Sequence, residues 1–329
     1  MKVAVGISGG VDSAVAAMLL RERGHEVVGV TMTLGRADEA KSLAEANAAA
    51  ERLGIPLKVF DFSREWHVHV VEYIRSTYLA GRTPNPCVRC NETVKFSLLP
   101  RAAFETLGCE AFATGHYARL DHGRLFRGVD RVKDQSYFLY RVKPEILSKT
   151  IFPLGELTKD EVRAKARAFG LEVADKGDSQ DFCGGDPQLG LGDRPQDGEI
   201  VTAEGKVVGR HAGYWRYTVG QRKGLGVGGG TPYYVISIDP AENRVVVGTK
   251  GQAVCRSFRV CEALFLGTGP KDLGTRPLFV KVRSAGEPRG PVTFDGEMCR
   301  CPDGIAGVAP GQSAVFYDGD EIVGGGVIS

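Results

Sequence analysis

The chain has 329 residues, of which 43% are hydrophobic and 25% are charged, and its formal net charge is +2. This composition is typical of a globular protein with two or three domains, and the charge neither requires nor excludes a nucleic-acid partner. Apolar runs stay shorter than the roughly 18 residues of a membrane span, and a strand begins directly after Met1. We therefore expect a cytoplasmic protein without a signal peptide or membrane contact, whose eight cysteines are reduced thiols.

The most informative segment is residues 6–13, Gly-Ile-Ser-Gly-Gly-Val-Asp-Ser, which follows a short apolar run and opens a helix from Val11 to about Arg23. Glycines allow a backbone to close around a phosphate, and the amide groups at a helix start attract its negative charge. The lysine that ends the P-loop of kinases and GTPases is missing after Gly10. The string resembles the pyrophosphatase-type loop of enzymes that adenylate a substrate, and a tight turn without a ligand is the alternative.

Strands and helices alternate over the first half of the chain. Short apolar stretches predict buried parallel strands at Val3–Ile7, Val27–Met32, Leu57–Phe60 and Ala111–Ala113. Helical patterns are found at Ala37–Leu53, about Arg64–Tyr78 and Leu157–Phe169. Thr158 is the predicted N-cap of the last helix, with Glu161 as its capping-box partner. This order predicts an α/β doubly wound parallel sheet that binds ligands at the carboxyl ends of its strands.

The composition changes after Cys183, because residues 184–198 are rich in glycine, proline and aspartate and are typical of a linker or mobile loop. Beyond Ile200, short strands are predicted at Val201–Val208, Tyr234–Ile238, Arg244–Gly248, Leu278–Arg283, Val292–Phe294 and Ser313–Tyr317. We predict three domains: an α/β nucleotide-binding domain over 1–192, a small central β-rich domain over 193–250 and a C-terminal β-barrel over 251–329.

Three cysteines lie in stretches rich in proline or glycine. Cys87 and Cys90 follow Pro84 and Pro86, and Cys183 precedes two glycines. A cysteine reacts as the thiolate, which needs exposure and a positive or hydrogen-bonding neighbourhood. Three interpretations stay open: ordinary thiols, a structural zinc site that lacks an evident fourth ligand, and sulfur chemistry. The sulfur chemistry would be persulfide transfer between cysteines or a three-thiolate iron–sulfur cluster.

Residues 209–226 carry basic and aromatic side chains and no acidic one. Basic groups that bind phosphates and aromatic rings that stack on bases suit an RNA surface. A cationic β-hairpin with aromatic residues in its core is the alternative. The basic residues are Arg210, Arg216, Arg222 and Lys223, and the aromatic residues are Tyr214, Trp215 and Tyr217.

Taken together, these segments resemble the family of tRNA-specific 2-thiouridylases. Five further strings carry the resemblance, which extends from residue 6 nearly to the C-terminus. They are Ala-Thr-Gly-His-Tyr at 113–117, Lys-Asp-Gln-Ser-Tyr-Phe-Leu at 133–139, Pro-Leu-Gly-Glu-Leu at 153–157, Tyr-Thr-Val-Gly-Gln-Arg-Lys-Gly-Leu-Gly at 217–226 and Pro-Gly-Gln-Ser-Ala at 310–314. The resemblance implies an ATP-binding α/β domain of the adenine nucleotide hydrolase type, a small central domain and a β-barrel.

The activity that the resemblance implies is that of a tRNA-uridine 2-sulfurtransferase. ATP would activate O2 of the wobble uridine as an adenylate, sulfur would attack C2, and AMP would leave. The implied partners are the anticodon stem-loop of a tRNA, Mg²⁺, and a sulfur donor such as a cysteine-desulfurase relay or sulfide. The protein would act as a monomer.

The resemblance also assigns individual residues. Cys90 is the first catalytic cysteine and Cys183 carries the persulfide, so that attack by Cys90 leaves a Cys90–Cys183 disulfide. Asp12 would help to place magnesium. ATP would contact Gly6, Ile7, Ser8, Gly9, Gly10, Val11, Asp12, Ser13, Met32 and Gly115. The target base would meet Asn85, Pro86 and Cys87. Further tRNA contacts would come from His116, Lys133, Asp134, Gln135, Arg283, Ser284 and Gln312.

The chain departs from the family pattern in three places. Cys87 stands where many relatives carry aspartate, which gives three candidate ligands, Cys87, Cys90 and Cys183, for a [4Fe–4S] cluster with one open iron. The residues around Cys183 differ from the usual pattern, so the persulfide route and the cluster route both stay open. The segment after Met32 is shortened.

Two alternatives belong to other functional classes. An ATP-dependent adenylating ligase or amidotransferase could use the same loop, but it needs no paired cysteines and usually has a glutaminase module or a synthetase tail, neither of which is evident. A non-catalytic tRNA-binding relative would need neither an intact loop nor Cys90 and Cys183.

Overall fold

The structure, a computed structural model, describes residues 1–171, 191, 197–228, 232–267 and 277–329. The chain forms two compact units. The first comprises Met1–Val70, Cys87–Gly185 and Asp320–Ile322, and the second comprises Val71–Pro86, Asp186–Gly319 and Val323–Ser329. Among the described residues, no helix is both long enough and apolar enough to cross a membrane.

The first unit is built on a parallel sheet with the strand order β3-β2-β1-β4-β7. Val3 in the central strand lies opposite Val27 on one side and Ala111 on the other. The sheet and its helices enclose one apolar core, because the inner strands are apolar on both faces. The strands of this sheet are β1 (Lys2–Gly6), β2 (Glu26–Thr33), β3 (Leu57–Asp61), β4 (Ala111–Ala113) and β7 (Thr150–Ile151). Two further strands, β5 (Ala118–Asp121) and β6 (Arg124–Arg127), lie outside it and pair with each other in antiparallel orientation. The predicted doubly wound sheet is confirmed.

The helices are α1 (Val11–Glu22), α2 (Glu39–Leu53), α3 (Ser63–Trp66), α4 (Glu72–Leu79), α5 (Pro86–Cys90), α6 (Leu99–Leu107), α7 (Pro144–Leu147) and α8 (Lys159–Ala168). Helices α1, α2 and α8 lie where helices were predicted, and α3 and α4 overlap the helix predicted at about 64–78, whereas α5, α6 and α7 were not predicted. The helix predicted at 64–78 contains a π-helical stretch, His67–Val71, which an amphipathic pattern does not reveal. The predicted capping box of α8 is confirmed, since Glu161 N donates to Thr158 Oγ1 and Thr158 N donates to Glu161 Oε2.

In the second unit, a four-stranded sheet has the order β10-β11-β8-β9. Its strands are β8 (Asp197–Thr202), β9 (Val207–Ala212), β10 (Tyr234–Asp239) and β11 (Arg244–Gly248). The single strand predicted at 201–208 is wrong. Two strands meet there at a turn, in which Gly205 has φ +83° and donates its N–H to Thr202 O.

The second unit also contains a closed antiparallel barrel. Its strands run in the order β12-β15-β14-β13-β16-β17, and β17 pairs with β12 to close the sheet. They are β12 (Val254–Phe265), β13 (Leu278–Lys281), β14 (Arg289–Phe294), β15 (Met298–Ala306), β16 (Ser313–Asp318) and β17 (Glu321–Ile328). The predicted C-terminal β-barrel is confirmed, although β12, β15 and β17 were not predicted. Glycines conceal β17, yet they are needed there, because a Cβ on Gly324 would lie 2.3 Å from Leu264 O.

Candidate active site

The segment 6–13 forms a tight loop between β1 and α1. Gly9 has φ +77°, and a Cβ on it would lie 2.6 Å from Glu45 Cβ. Both the backbone conformation and the lack of space therefore require glycine at this position. Ser13 Oγ accepts a hydrogen bond from Ser8 N at 3.3 Å and donates one to Gly10 O at 3.0 Å. The loop is therefore fixed from within, at the N-terminus of a helix of 12 residues, which is the arrangement that binds phosphate.

Gly115 brings a second segment against this loop. A Cβ at Gly115 would lie 2.7 Å from Asp12 C and 2.9 Å from Ser13 N, so only glycine fits. Met32 is in the last part of β2, the strand beside β1. The predicted nucleotide residues therefore lie at the carboxyl ends of three adjacent parallel strands, where α/β folds bind ligands.

Asp12 is the charged centre of the loop. Lys159 Nζ donates to both of its carboxylate oxygens, at 2.8 and 2.9 Å, and Tyr117 Oη donates to Oδ1 at 2.9 Å. The Lys159 side chain is only 6% exposed, while that of Asp12 is 32% exposed. The sequence analysis assigned no role to Lys159 or Tyr117. Two signals were available: Tyr117 ends the string at 113–117, and the capping box makes Lys159 the first residue of α8.

The segment 128–136 lies beside Tyr117. The fully buried Asp134 carboxylate accepts from Gly128 N and Ser136 N, at 3.1 Å each, and pairs with Arg127 Nε at 3.4 Å. Gln135 Oε1 accepts from Tyr117 N at 3.0 Å, and Gln135 N donates to Tyr117 O at 2.9 Å. Two of the predicted tRNA contacts, Asp134 and Gln135, thus hold this domain together from inside.

His116 packs between two aromatic rings, with its centroid 5.4 Å from that of Phe96 and 6.0 Å from that of Phe152. Its Nδ1 hydrogen-bonds Thr114 Oγ1 at 2.7 Å. Burial, assisted by the nearby charge of Lys95, lowers the pKa of His116 well below its usual 6.5. The imidazole is therefore neutral at neutral pH, able to donate or accept a hydrogen bond without carrying charge.

The cysteine pair lies on the single turn of α5, where Cys87 is half-buried and Cys90 only 2% exposed. A π-helical stretch, Asn91–Leu98, follows directly and is interrupted at Phe96, with φ −110° and ψ +18°. Such π-helical segments often occur at functional sites. Cys183 lies outside the described residues. The described part of the chain contains no group of three His, Cys, Asp or Glu side chains that could hold a metal ion.

In the second unit, residues 82–85, which precede α5, are held by the segment 310–313. Thr83 N donates to Pro310 O at 2.8 Å, and Gln312 Nε2 donates to Pro84 O at 2.7 Å and to Thr83 O at 3.3 Å. Asn85 N donates to Tyr73 Oη at 3.1 Å, and its Nδ2 donates to Ser313 Oγ at 3.4 Å. Gln312, predicted to contact tRNA, here fixes the backbone that leads into the cysteine helix.

The remaining predicted RNA residues divide by burial. Arg283 and Ser284 are exposed beyond β13, and the four basic residues of 209–226 are exposed as well. Tyr214 and Trp215 belong to the apolar core of the central sheet, and Tyr214 Oη donates to Leu79 O. Of the two interpretations of 209–226, the burial of these two rings at 5% and 7% exposure favours aromatic residues in the core over rings that stack on bases.

The fold and the loop define a class of protein: an α/β domain with a pyrophosphatase-type phosphate loop, followed by two β domains. Three family descriptions match in succession. They are "tRNA methyl transferase HUP domain" at residues 1–184, "tRNA methyl transferase PRC-barrel domain" at 191–249 and "Aminomethyltransferase beta-barrel domain" at 256–328.

Relatives that match this chain over nearly its whole length identify one family within this class of protein. A protein of Methylorubrum extorquens (strain PA1) named tRNA-specific 2-thiouridylase MnmA is 44% identical, over 99% of this chain and 93% of that protein. A protein of the same name from Chloroflexus aurantiacus (strain J-10-fl) is 45% identical, over 99% of this chain and 98% of that protein. The chain belongs to the family of tRNA-specific 2-thiouridylases.

Proposed function

We propose that this chain is a tRNA-uridine 2-sulfurtransferase that uses ATP to thiolate C2 of the wobble uridine. The observation that carries the proposal is the identity of 44–45% over 99% of the chain to relatives named for this activity. The phosphate loop supports it, since its geometry suits a nucleotide whose reaction releases pyrophosphate.

The first half-reaction is activation. The amides at the start of α1 would hold the ATP phosphates, with Gly6–Ser13, Met32 and Gly115 as contacts. O2 of the uridine attacks the α-phosphorus, pyrophosphate leaves, and O2 becomes part of an AMP leaving group. The half-exposed Asp12 carboxylate fits Mg²⁺, because this ion typically takes one or two carboxylates together with substrate phosphates. Magnesium would neutralise the phosphate charge that develops in this step.

The second half-reaction is sulfur transfer. The Cys90 thiolate attacks the inner sulfur of a Cys183 persulfide and forms the Cys90–Cys183 disulfide, while hydrosulfide is released. Hydrosulfide adds to C2 of the adenylated uridine and AMP departs with the former O2. A thiol reductant then restores both cysteines. Because Cys90 is buried, this step requires α5 or its surroundings to open.

A cluster route is the alternative for the same step. Cys87 and Cys90 fit two of the three thiolate positions, since residues three apart on one helical turn share a face. The third, Cys183, lies outside the described residues. A [4Fe–4S] cluster held by these three thiolates would supply an open iron that binds sulfide.

The partner would be the anticodon stem-loop, whose unpaired bases can be presented to an enzyme. Asn85–Cys87 would meet the target base. Lys133, His116, Arg283, Ser284 and the basic side chains of 209–226 would meet the rest of the RNA. A cysteine-desulfurase relay or sulfide would supply sulfur to a cytoplasmic, monomeric enzyme.

The direct test is product analysis. The purified chain is incubated anaerobically with unmodified tRNA, Mg-ATP and one of two sulfur sources, either sulfide or a persulfide donor together with a thiol reductant. Each incubation is run before and after iron–sulfur reconstitution, and nucleosides are counted by mass spectrometry. We expect 2-thiouridine that depends on ATP and is lost in Cys90→Ala. Product from the persulfide donor without iron favours the persulfide route, and product from sulfide only after reconstitution favours the cluster.

Two outcomes would overturn the proposal. ATP consumption without tRNA would indicate an adenylating ligase. Binding of tRNA without ATP turnover or product, even with a sulfur carrier added, would indicate a non-catalytic relative.

A further inference from the structure

Asp12 has two donors of different character. Lys159 reaches it with a long, flexible side chain, whereas Tyr117 reaches it with a rigid ring that is 2% exposed and belongs to the core of the first unit. The Lys159 ammonium also lies 5.9 Å from the centre of the Tyr117 ring. A lysine can follow a phosphate away from the carboxylate, but the tyrosine hydroxyl cannot move without its ring.

The backbone of Tyr117 is held on both sides. Gln135 accepts from its N–H and donates to its carbonyl. Gly128 approaches so closely that a Cβ there would lie 2.9 Å from Tyr117 O. Asp134, fully buried, ties Gly128 and Ser136 to the same place. The segment 128–136 therefore fixes where the Tyr117 hydroxyl stands.

We propose that Tyr117, held by Gln135, is a positioning residue for ATP use: its hydroxyl keeps the Asp12 carboxylate oriented while Lys159 is the partner that the nucleotide displaces. The inference rests on the proposed function only for the identity of the nucleotide. It gives residues 134–135 a task inside the α/β domain, apart from any contact with tRNA.

The test compares four variants. Tyr117→Phe removes one hydroxyl and leaves the ring, and Gln135→Leu removes the acceptor for Tyr117 N. Gln135→Glu keeps an acceptor oxygen at the same place. Tyr317→Phe, in the barrel, is the matched control for deleting a buried hydroxyl. Calorimetry gives the dissociation constant of Mg-ATP, filter binding gives that of tRNA, and thermal melting reports folding.

We expect Tyr117→Phe to weaken Mg-ATP binding about tenfold, as for loss of a hydrogen bond to a charged group. Gln135→Leu should weaken it less, about threefold, because only the neutral side-chain bond to Tyr117 N is lost. In Tyr117→Phe the tRNA affinity should change less than about twofold. Gln135→Glu, which keeps the acceptor for Tyr117 N, should bind Mg-ATP more tightly than Gln135→Leu, and Tyr317→Phe should bind Mg-ATP and tRNA like the wild type.

The inference is overturned if Tyr117→Phe binds Mg-ATP like the wild type. It is also overturned if ATP and tRNA affinities fall together, which would show a general structural loss. Failure of the proposed function looks different, because Mg-ATP binding would then still respond to Tyr117 while no 2-thiouridine forms.

Discussion

Two segments that are predicted to contribute to function, one in each unit, are held by residues at different distances along the chain. The phosphate loop is held by bonds among residues 8–13 and by the glycines that its turn requires. The segment 82–85 is held by residues 310–313, more than 220 positions away. The phosphate loop is specified by a short stretch of sequence, whereas the contact between residues 82–85 and 310–313 forms only when the barrel is folded. Substitutions that disturb the phosphate loop and substitutions that disturb residues 82–85 should therefore have different kinetic signatures.

Among substitutions that disturb these two segments, Gly115→Ala should have the strongest effect. The added Cβ would meet Asp12 backbone atoms at 2.7 Å, and neither backbone can yield without moving the loop. A misplacement of about 1 Å in a reacting group costs on the order of a hundredfold in rate. We therefore expect ATP-dependent product formation to fall by about that factor. Gly251→Ala, whose Cβ has no neighbour closer than 4.0 Å, is the control. Equal rates for both variants would contradict the close approach.

Gln312→Leu should have a smaller effect, which falls on kcat and not on the KM for ATP. Two hydrogen bonds to Thr83 O and Pro84 O are lost, and the segment that continues into Pro86 and Cys87 loosens. We expect kcat for thiolation to fall about tenfold, with the KM for ATP unchanged.

Gln252→Leu, at an exposed turn, is the control for the Gln312 variant. A rise in the KM for tRNA with unchanged kcat would show instead that Gln312 acts by contacting RNA.

This contrast explains what the sequence could predict. Strands β1 to β4, the loop and the α8 capping box depend on neighbouring residues, so their patterns are visible in short strings. The Lys159–Asp12 pair joins residues 147 positions apart, and the hydrogen bond from Gln312 to Pro84 O joins residues 228 positions apart. Neither has a local pattern. Strand β17 was missed for a related reason, since its glycines suggest a loop until the close approach of β12 is known.

Burial explains another difference between the sequence analysis and the structure, in the segment 209–226. Basic residues interleaved with aromatic ones looked like one RNA surface at 209–226, yet Tyr214 and Trp215 face the core while Arg210 and Arg222 are exposed. Tyr214 and Trp215 pack in the core, whereas the basic residues are exposed. A list of residues cannot separate these two roles, because burial along the end of β9, the following 3-10 turn and the loop after it is set by the fold.

The smallest effect should be a pH dependence of stability from His116. Its pKa is lowered by burial, so between the folded value and the usual 6.5 the unfolded chain binds a proton that the folded chain does not. Its contribution is therefore complete above pH 6.5 and is lost as the pH falls toward the folded pKa.

Urea unfolding checks the sign of this effect. Between about pH 7.5 and about pH 5.5, the wild type should lose more free energy of unfolding than His116→Gln. His122→Gln, at an exposed turn, is the control. A steeper loss in His116→Gln than in the wild type would contradict the assignment.

The central claim is that ATP activates the uridine at the phosphate loop and that Cys90 is required for the later step that delivers sulfur to C2. The most direct measurement counts pyrophosphate, AMP and 2-thiouridine formed per tRNA by the wild type and by Cys90→Ala, with a persulfide donor. We predict equal amounts of AMP and 2-thiouridine for the wild type, and tRNA-dependent pyrophosphate without 2-thiouridine for the variant. Formation of 2-thiouridine by Cys90→Ala at the wild-type rate, or by the wild type without ATP consumption, would contradict the account.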